Sequence, residues 1–156
     1  MITAVANTCS QSRPVSISAG KACGQYLGRK ITNINANAAT PEWMKRRLER
    51  AGFRSISPLV DITNYLTLER GRPMHAFDDD KLSGDIGVRF ATPGEKITLL
   101  NDQSVDLQED MLLITDANRP VAMGGVMGGL DTMCTASTRN VFFEAAYFDP
   151  AVIQGK

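Results

Sequence analysis

Asp61-Ile-Thr-Asn-Tyr-Leu-Thr-Leu-Glu-Arg-Gly-Arg-Pro-Met-His-Ala-Phe-Asp78 is the stretch across which the chain changes its period. Before and within it, Ser57-Pro58 supplies a cap and a proline suited to the first helical turn. Leu59, Ile62 and Leu66 then recur at helical spacing until Gly71. After a turn around Asp78-Asp-Asp-Lys-Leu82 the pattern alternates, so Ile86–Phe90, Lys96–Leu100, Ser104–Leu107 and Met111–Thr115 read as strands separated by Pro93-Gly94, Asn101-Asp102 and polar turns. Val121–Met123 and Asn140–Phe143 are further strand candidates. Helices first and strands later, without strict alternation, predict an α+β class with two or three helices packed on mixed or antiparallel sheets.

Working outward, Met1–Arg13 is small, polar and aperiodic, and reads as a loose N-terminal tail ahead of one domain spanning residues 14–156. Val15 and Ile17 alternate, and Leu27–Ile34 offers a second strand, with Asn33–Ala39 as turn and linker. Thr40-Pro41 opens another helix, with Thr40 as the expected cap and Gly52 closing it in a left-handed conformation. Met44, Leu48 and Ala51 form its apolar stripe, while Lys45, Arg46, Arg47 and Arg50 outnumber Glu42 and Glu49 on the other faces. That surface is either a solvated face with pairs such as Glu42 to Arg46, or a contact for an RNA backbone.

At 156 residues, 43% of them hydrophobic, the chain suffices for one core. Seventeen basic and seventeen acidic residues cancel, so any RNA contact must be local. Cys9, Cys23 and Cys134 have neither disulfide-framework nor zinc spacing and suit a reducing compartment. No apolar run approaches the roughly 20 residues of a spanning helix, so no membrane association is expected.

His75 is the chain's single histidine, so a hydrolysis needing a proton acceptor or a water-orienting group would turn to it first; a packed loop residue is the alternative. The loop Gly124-Gly-Val-Met-Gly-Gly129 permits close approach of backbone to a ligand or, equally, tight turn packing, and it lacks the order of a nucleotide-binding fingerprint. Glu144 interrupts the apolar run Val141–Phe148 and is paired, surface-facing or kept for a ligand. Asp78, Asp79 and Asp80 either attract Mg²⁺ or cap a helical turn. With one histidine and no G-x-S-x-G elbow, covalent serine catalysis and two-histidine metal chemistry drop out, and no metal site is expected.

The motifs Tyr26-Leu-Gly-Arg29, Thr40-Pro-Glu-Trp43, Arg54-Ser-Ile56, Val60-Asp-Ile-Thr-Asn-Tyr65, Gly71-Arg-Pro-Met-His-Ala-Phe-Asp78, Gly124-Gly-Val-Met-Gly-Gly129 and Asn140-Val-Phe-Phe-Glu-Ala-Ala-Tyr-Phe148 occur in one order. Together, from about Pro14 to the C-terminus, they resemble the editing region of the bacterial-type phenylalanyl-tRNA synthetase beta subunit. The resemblance implies a C-terminally truncated copy of that editing domain, which hydrolyses tyrosine wrongly esterified to tRNA(Phe). It implies that His75, Asn64 and Thr63 lie near the ester and the attacking water. Glu144 would receive the tyrosine phenol, with Ala146, Gly124, Gly125, Gly128 and Gly129 shaping the pocket. It further implies the tRNA(Phe) 3′ end and the synthetase alpha subunit as partners, a cytoplasmic location, and no cofactor in this segment, ATP and Mg²⁺ belonging to the alpha subunit's synthetic site. The alternative function is a non-catalytic scaffold or tRNA 3′-end binding module. Two departures stand out: Met133-Cys134-Thr-Ala-Ser137 replaces a usually acidic loop, and Asp102-Gln103 replaces a frequent Asp-Gly hairpin, which predicts a wider or strained turn.

Overall fold

The computed structural model describes residue 3, residues 5–117 and residues 119–156; residues 1, 2 and 4 of the expected tail lie outside the described set. The elements run β1 (Val15–Ile17), β2 (Cys23–Ile31), α1 (Glu42–Arg50), α2 (Pro58–Arg70), β3 (His75–Asp78), β4 (Ile86–Phe90), β5 (Lys96–Thr98), β6 (Ser104–Asp106), β7 (Leu112–Thr115), β8 (Pro120–Met123), β9 (Met127–Gly128), β10 (Val141–Phe148) and α3 (Pro150–Ile153). This is the α+β class expected from the change of period.

Three sheets organise the strands. One has five strands in the order β1-β4-β7-β8-β9, one has three in the order β2-β10-β3, and β5-β6 form a hairpin. Only the β1–β4 pairing is parallel among these ladders. The main core fills the space between the first two sheets: Tyr26, Phe77 and Phe142 meet Ile86, Val88, Leu112, Ile114 and Ala122. Phe77 and Phe142 are fully buried, and each such ring contributes about 1.5–3 kcal/mol through removal from water. On the other side of β7 and β8, Leu113 and Met123 join Ala91, Ile97, Leu99 and Leu107 in a second cluster. All four residues of β7 are buried because this central strand is covered on both faces.

Local signals explain the helices in part. Ser57 Oγ accepts from the Val60 amide at 3.4 Å, Pro58 occupies the first turn, and Gly71 ends α2 at φ 62°, so both predicted ends of this helix hold. Thr40 does not cap α1. Its hydroxyl instead donates to Asp61 Oδ2 at 2.5 Å beside Ser55 Oγ (2.6 Å), while the Ile56 amide donates to Oδ1 (3.0 Å), because a fully buried carboxylate needs several donors. Leu48 and Met44 turn inward as expected, but Ala51 is exposed.

Strand edges differ from the sequence reading where partners are distant. β2 begins at Cys23 rather than Leu27, and β10 runs to Phe148 rather than Phe143, because the two pair along their length. β3 escaped the sequence reading altogether: four residues following a Gly-x-Pro turn become a strand by pairing with β10. The Asp78-Asp-Asp-Lys-Leu82 turn is capped by Asp78 Oδ1, which accepts from the Asp80 amide at 3.2 Å. Its buried neighbour Asp79 binds Lys30 Nζ at 2.7 Å and Arg13 Nη2 at 2.9 Å, and Arg13 also donates to the Gly84 carbonyl. The Met133–Ser137 loop is stitched to β3, with Cys134 Sγ donating to the Ala76 carbonyl and Thr138 Oγ1 donating to Asp78 Oδ2 at 2.7 Å. Asp102 adopts φ 63°, so the 101–103 turn is tight and left-handed at a residue with a side chain.

Candidate functional site

The space between the two larger sheets opens at one end into a cavity of about 400 Å³. The three-stranded sheet supplies the polar wall. Along β10, alternate residues Phe142, Glu144 and Ala146 share a face, and the ladder places His75 of β3 directly opposite Glu144, and Tyr26 of β2 opposite Ala146. Ile114, Ala122 and Met123 form the floor from the five-stranded sheet. The loop 125–128, which includes β9, makes a further wall, Ile153 of α3 closes one side, and Arg72 and Met74, just before β3, form part of the rim.

Glu144 is 7% exposed and accepts a hydrogen bond from the Tyr26 hydroxyl at 3.0 Å. Burial pushes its pKa up to about 7, against the opposing pull of the Tyr26 hydrogen bond. Near neutrality the carboxyl therefore exchanges readily between its two protonation states. The Tyr26 phenol is shifted in the same direction: burial and the adjacent carboxyl hold it protonated far above the usual range, so it is a fixed donor.

His75 is half-buried as a residue, yet its Nε2 is shut off from water and has no hydrogen-bond partner. Its ring stands edge-on to Phe77, centroids 4.4 Å apart. Burial lowers its pKa to about 4, so at neutral pH it is an uncharged imidazole. Gly128 makes this position possible, because a Cβ there would sit 2.4 Å from His75 Cε1 and 2.6 Å from Nε2. An orphaned buried nitrogen beside a cavity is a polar group awaiting a partner.

The cavity thus gathers His75, Glu144, Ala146, Gly125 and Gly128 from the residues singled out in the sequence. It does not gather the others. Gly124 packs against Leu112, and Gly129 donates its amide to the Val121 carbonyl at 2.8 Å beside Ile97, so both serve the fold of the loop. Thr63 and Asn64 sit on α2 outside the cavity lining; the Thr63 hydroxyl is buried and donates to the Val60 carbonyl at 2.9 Å. Sequence reasoning missed Tyr26 as a site residue. Its signal was present as an aromatic among the exposed neighbours of β2, but its partner lies 118 residues away. Arg72 was missed as well; its Nη1 donates to the Ala146 carbonyl at 3.2 Å. Among the described residues, no three His, Cys, Asp or Glu side chains cluster in a way that would hold a metal ion, and no helix is long and apolar enough to cross a membrane.

This chain, a mixed α+β core with a cavity between its two larger sheets, belongs to the B3/4 domain family, whose model matches residues 22–156. Its sequence is similar to phenylalanine–tRNA ligase beta subunits. It is 51% identical to that of Chromobacterium violaceum over 99% of this chain and 20% of the relative. It is 52% identical to that of Xanthomonas campestris pv. campestris over 98% of this chain and 19% of the relative. Against the Colwellia psychrerythraea subunit the identity is 52%, over 99% of this chain and 19% of the relative. The chain therefore spans about a fifth of the length of the curated relatives it matches. The fold also matches an N-terminal fragment of the phenylalanyl-tRNA synthetase beta subunit from Pyrococcus horikoshii, with a TM-score of 0.64 and 14% identity over 91% of this chain and 45% of that one.

Proposed function

We propose that this chain carries the hydrolytic editing site of a phenylalanine–tRNA ligase beta subunit, acting on tyrosine esterified to tRNA(Phe). The observation that carries the reading is Glu144, a buried carboxyl in the wall of an otherwise largely apolar cavity large enough for an aromatic side chain. Tyr26 engages Oε2, which leaves Oε1 to accept from a substrate phenol. A bound phenylalanine would leave that carboxyl facing a ring edge. An unpaired buried polar group costs about 1–3 kcal/mol, which corresponds to a preference for tyrosine of roughly 5- to 150-fold.

The reaction is attack of water on the ester carbonyl, followed by cleavage of the carbonyl-to-ribose-oxygen bond, with the water's proton delivered to the ribose oxygen. His75 is uncharged at neutral pH, so once the contact with Gly128 that closes off Nε2 opens to admit a water, that nitrogen orients the water rather than repelling a cationic substrate amine. Directly opposed residues such as His75 and Glu144 have Cβ atoms about 5 Å apart, less than a tyrosine's span from phenol to ester, so the imidazole acts on the ester through that water. The turn Gly125–Gly128 offers backbone groups to the carbonyl oxygen. Asn64, on the adjacent helix, is assigned to the ester end, and Thr63, whose hydroxyl donates within α2, to holding that helix in place. The tRNA 3′ end and the alpha subunit are the partners this reading requires.

Deacylation of preformed Tyr-tRNA(Phe) and Phe-tRNA(Phe) by the complete alpha–beta synthetase tests the reading. Glu144→Ala should hydrolyse both esters with little preference, and His75→Ala should slow both alike. Absence of Tyr-tRNA(Phe) hydrolysis by the unaltered synthetase would overturn the assignment in favour of a non-catalytic tRNA-binding module.

A further inference from the structure

We infer that the outward face of α1 is an RNA contact, in which Trp43 stacks on an unpaired base and Arg46 and Arg50 hold the flanking phosphates. The inference rests on the editing reading for its substrate, tRNA, and places a second contact outside the cavity.

The chain as a whole is electrically neutral, yet five of its seventeen basic residues, Lys45, Arg46, Arg47, Arg50 and Arg54, fall within thirteen positions that hold only Glu42 and Glu49 as acids. Along α1, Trp43, Arg46, Arg47 and Arg50 recur at i, i+3, i+4 and i+7, so they form one stripe about 10 Å long, opposite the Met44–Leu48 stripe that packs inward. Trp43 is 52% exposed, unusual for the largest apolar side chain.

Its orientation is fixed from within the protein. The Tyr65 ring meets Trp43 edge-on at 5.2 Å, and the Arg47 guanidinium lies 5.3 Å from the Trp43 centroid and 5.9 Å from that of Tyr65. Arg47 also donates to the Tyr65 hydroxyl at 2.5 Å, and that hydroxyl donates to Glu69 at 3.3 Å. Arg47 is thereby held by the two rings, leaving Arg46 and Arg50 as the mobile cations of the stripe; Arg46 has only a loose 3.9 Å pairing with Glu42, both side chains being over 70% exposed. A pinned, half-open indole flanked by solvated guanidinium groups matches the chemistry of single-stranded nucleic acid: a π-face for any base and cations for the backbone.

The test uses the complete synthetase with Trp43→Ala, Trp43→Phe and the double variant Arg46→Glu/Arg50→Glu, all at exposed positions outside the cavity lining. Affinity for uncharged tRNA(Phe) is measured across a salt series, alongside Tyr-tRNA(Phe) hydrolysis at saturating substrate. Trp43→Ala should weaken binding about fivefold or more, with Trp43→Phe retaining most of it. The charge-reversed variant should weaken binding and flatten the salt dependence by about one unit for each phosphate it no longer holds. Maximal hydrolysis should be unchanged in all three. Unaltered tRNA affinity and salt slope would overturn the inference, as would unaltered tRNA affinity accompanied by loss of subunit assembly, which would assign the stripe to a protein partner. Because binding is read with uncharged tRNA, a synthetase that failed to hydrolyse Tyr-tRNA(Phe) would refute the editing reading and leave this measurement decisive.

Discussion

Glu144 and His75, opposed across one ladder, are displaced from their ordinary proton equilibria in opposite directions by the same burial. Glu144 is raised from 4.5 to about 7, so its contribution to stability is complete below pH 4.5 and is lost as pH rises through 7. His75 is lowered from 6.5 to about 4, so its contribution is complete above pH 6.5 and is lost as pH falls through 4. Between these limits the two effects nearly cancel. Glu144→Gln removes one arm, and its stability relative to the unaltered protein should grow by about 3 kcal/mol between pH 4.5 and 7.5, as read from urea midpoints. A difference that stays constant with pH would show that the carboxyl is not held in its protonated form by burial. The same wall predicts the effect of Gly128→Ala. The new methyl would meet the imidazole, displacing His75 and costing about 1–3 kcal/mol, with the proposed Tyr-tRNA(Phe) hydrolysis slowed at least tenfold and the helices unaffected in circular dichroism.

At the scale of elements, α2 obeys its end signals and the strands obey their partners. α2 was legible because Ser57, Pro58 and Gly71 act on backbone groups within a turn of themselves. β3 was not, because nothing in Pro73-Met-His-Ala-Phe77 alternates strongly enough to declare a strand before β10 lies beside it. The β5–β6 hairpin shows a local choice made against preference. Asp102 takes φ 63°, with its amide donating to the Leu99 carbonyl at 2.9 Å. Asp102→Gly should relieve that left-handed conformation and stabilise the protein by about 0.5–1 kcal/mol in thermal or urea unfolding, with no change in the proposed hydrolysis. A loss of stability would mean that the aspartate's restriction of the unfolded chain outweighs the relief.

Across the whole molecule, Asp79 ties together parts that are far apart in sequence. It is buried between Arg13 and Lys30, and its amide donates to the Asn140 carbonyl at 3.0 Å. Asp79→Ala should cost about 2–4 kcal/mol, since two partly buried cations lose their counter-charge, and hydrogen exchange should accelerate first in β2 and in the segment from Arg13 to β1. Exchange unchanged in these segments would show that the pairs are incidental to the docking of the N-terminal segment. The cavity depends on the same assembly, since its walls come from residues between Arg72 and Ile153 on two sheets and a terminal helix.

Contiguous residues were enough to establish the α+β class, the two longer helices, most strands of the second half and the standing of His75, Glu144 and the glycine turn as candidates. Caps, periods and turn residues act over one or two turns of backbone, so their information is present in the order of residues. Three-dimensional pairing was needed to bring Tyr26 to Glu144 across 118 positions, to set His75 opposite that carboxyl, to leave Thr63, Asn64, Gly124 and Gly129 outside the lining, and to redirect Thr40 from capping a helix to Asp61. A buried polar group takes whichever donor the sheet order places within about 3 Å, and that order is set by long-range packing that no local window of residues contains.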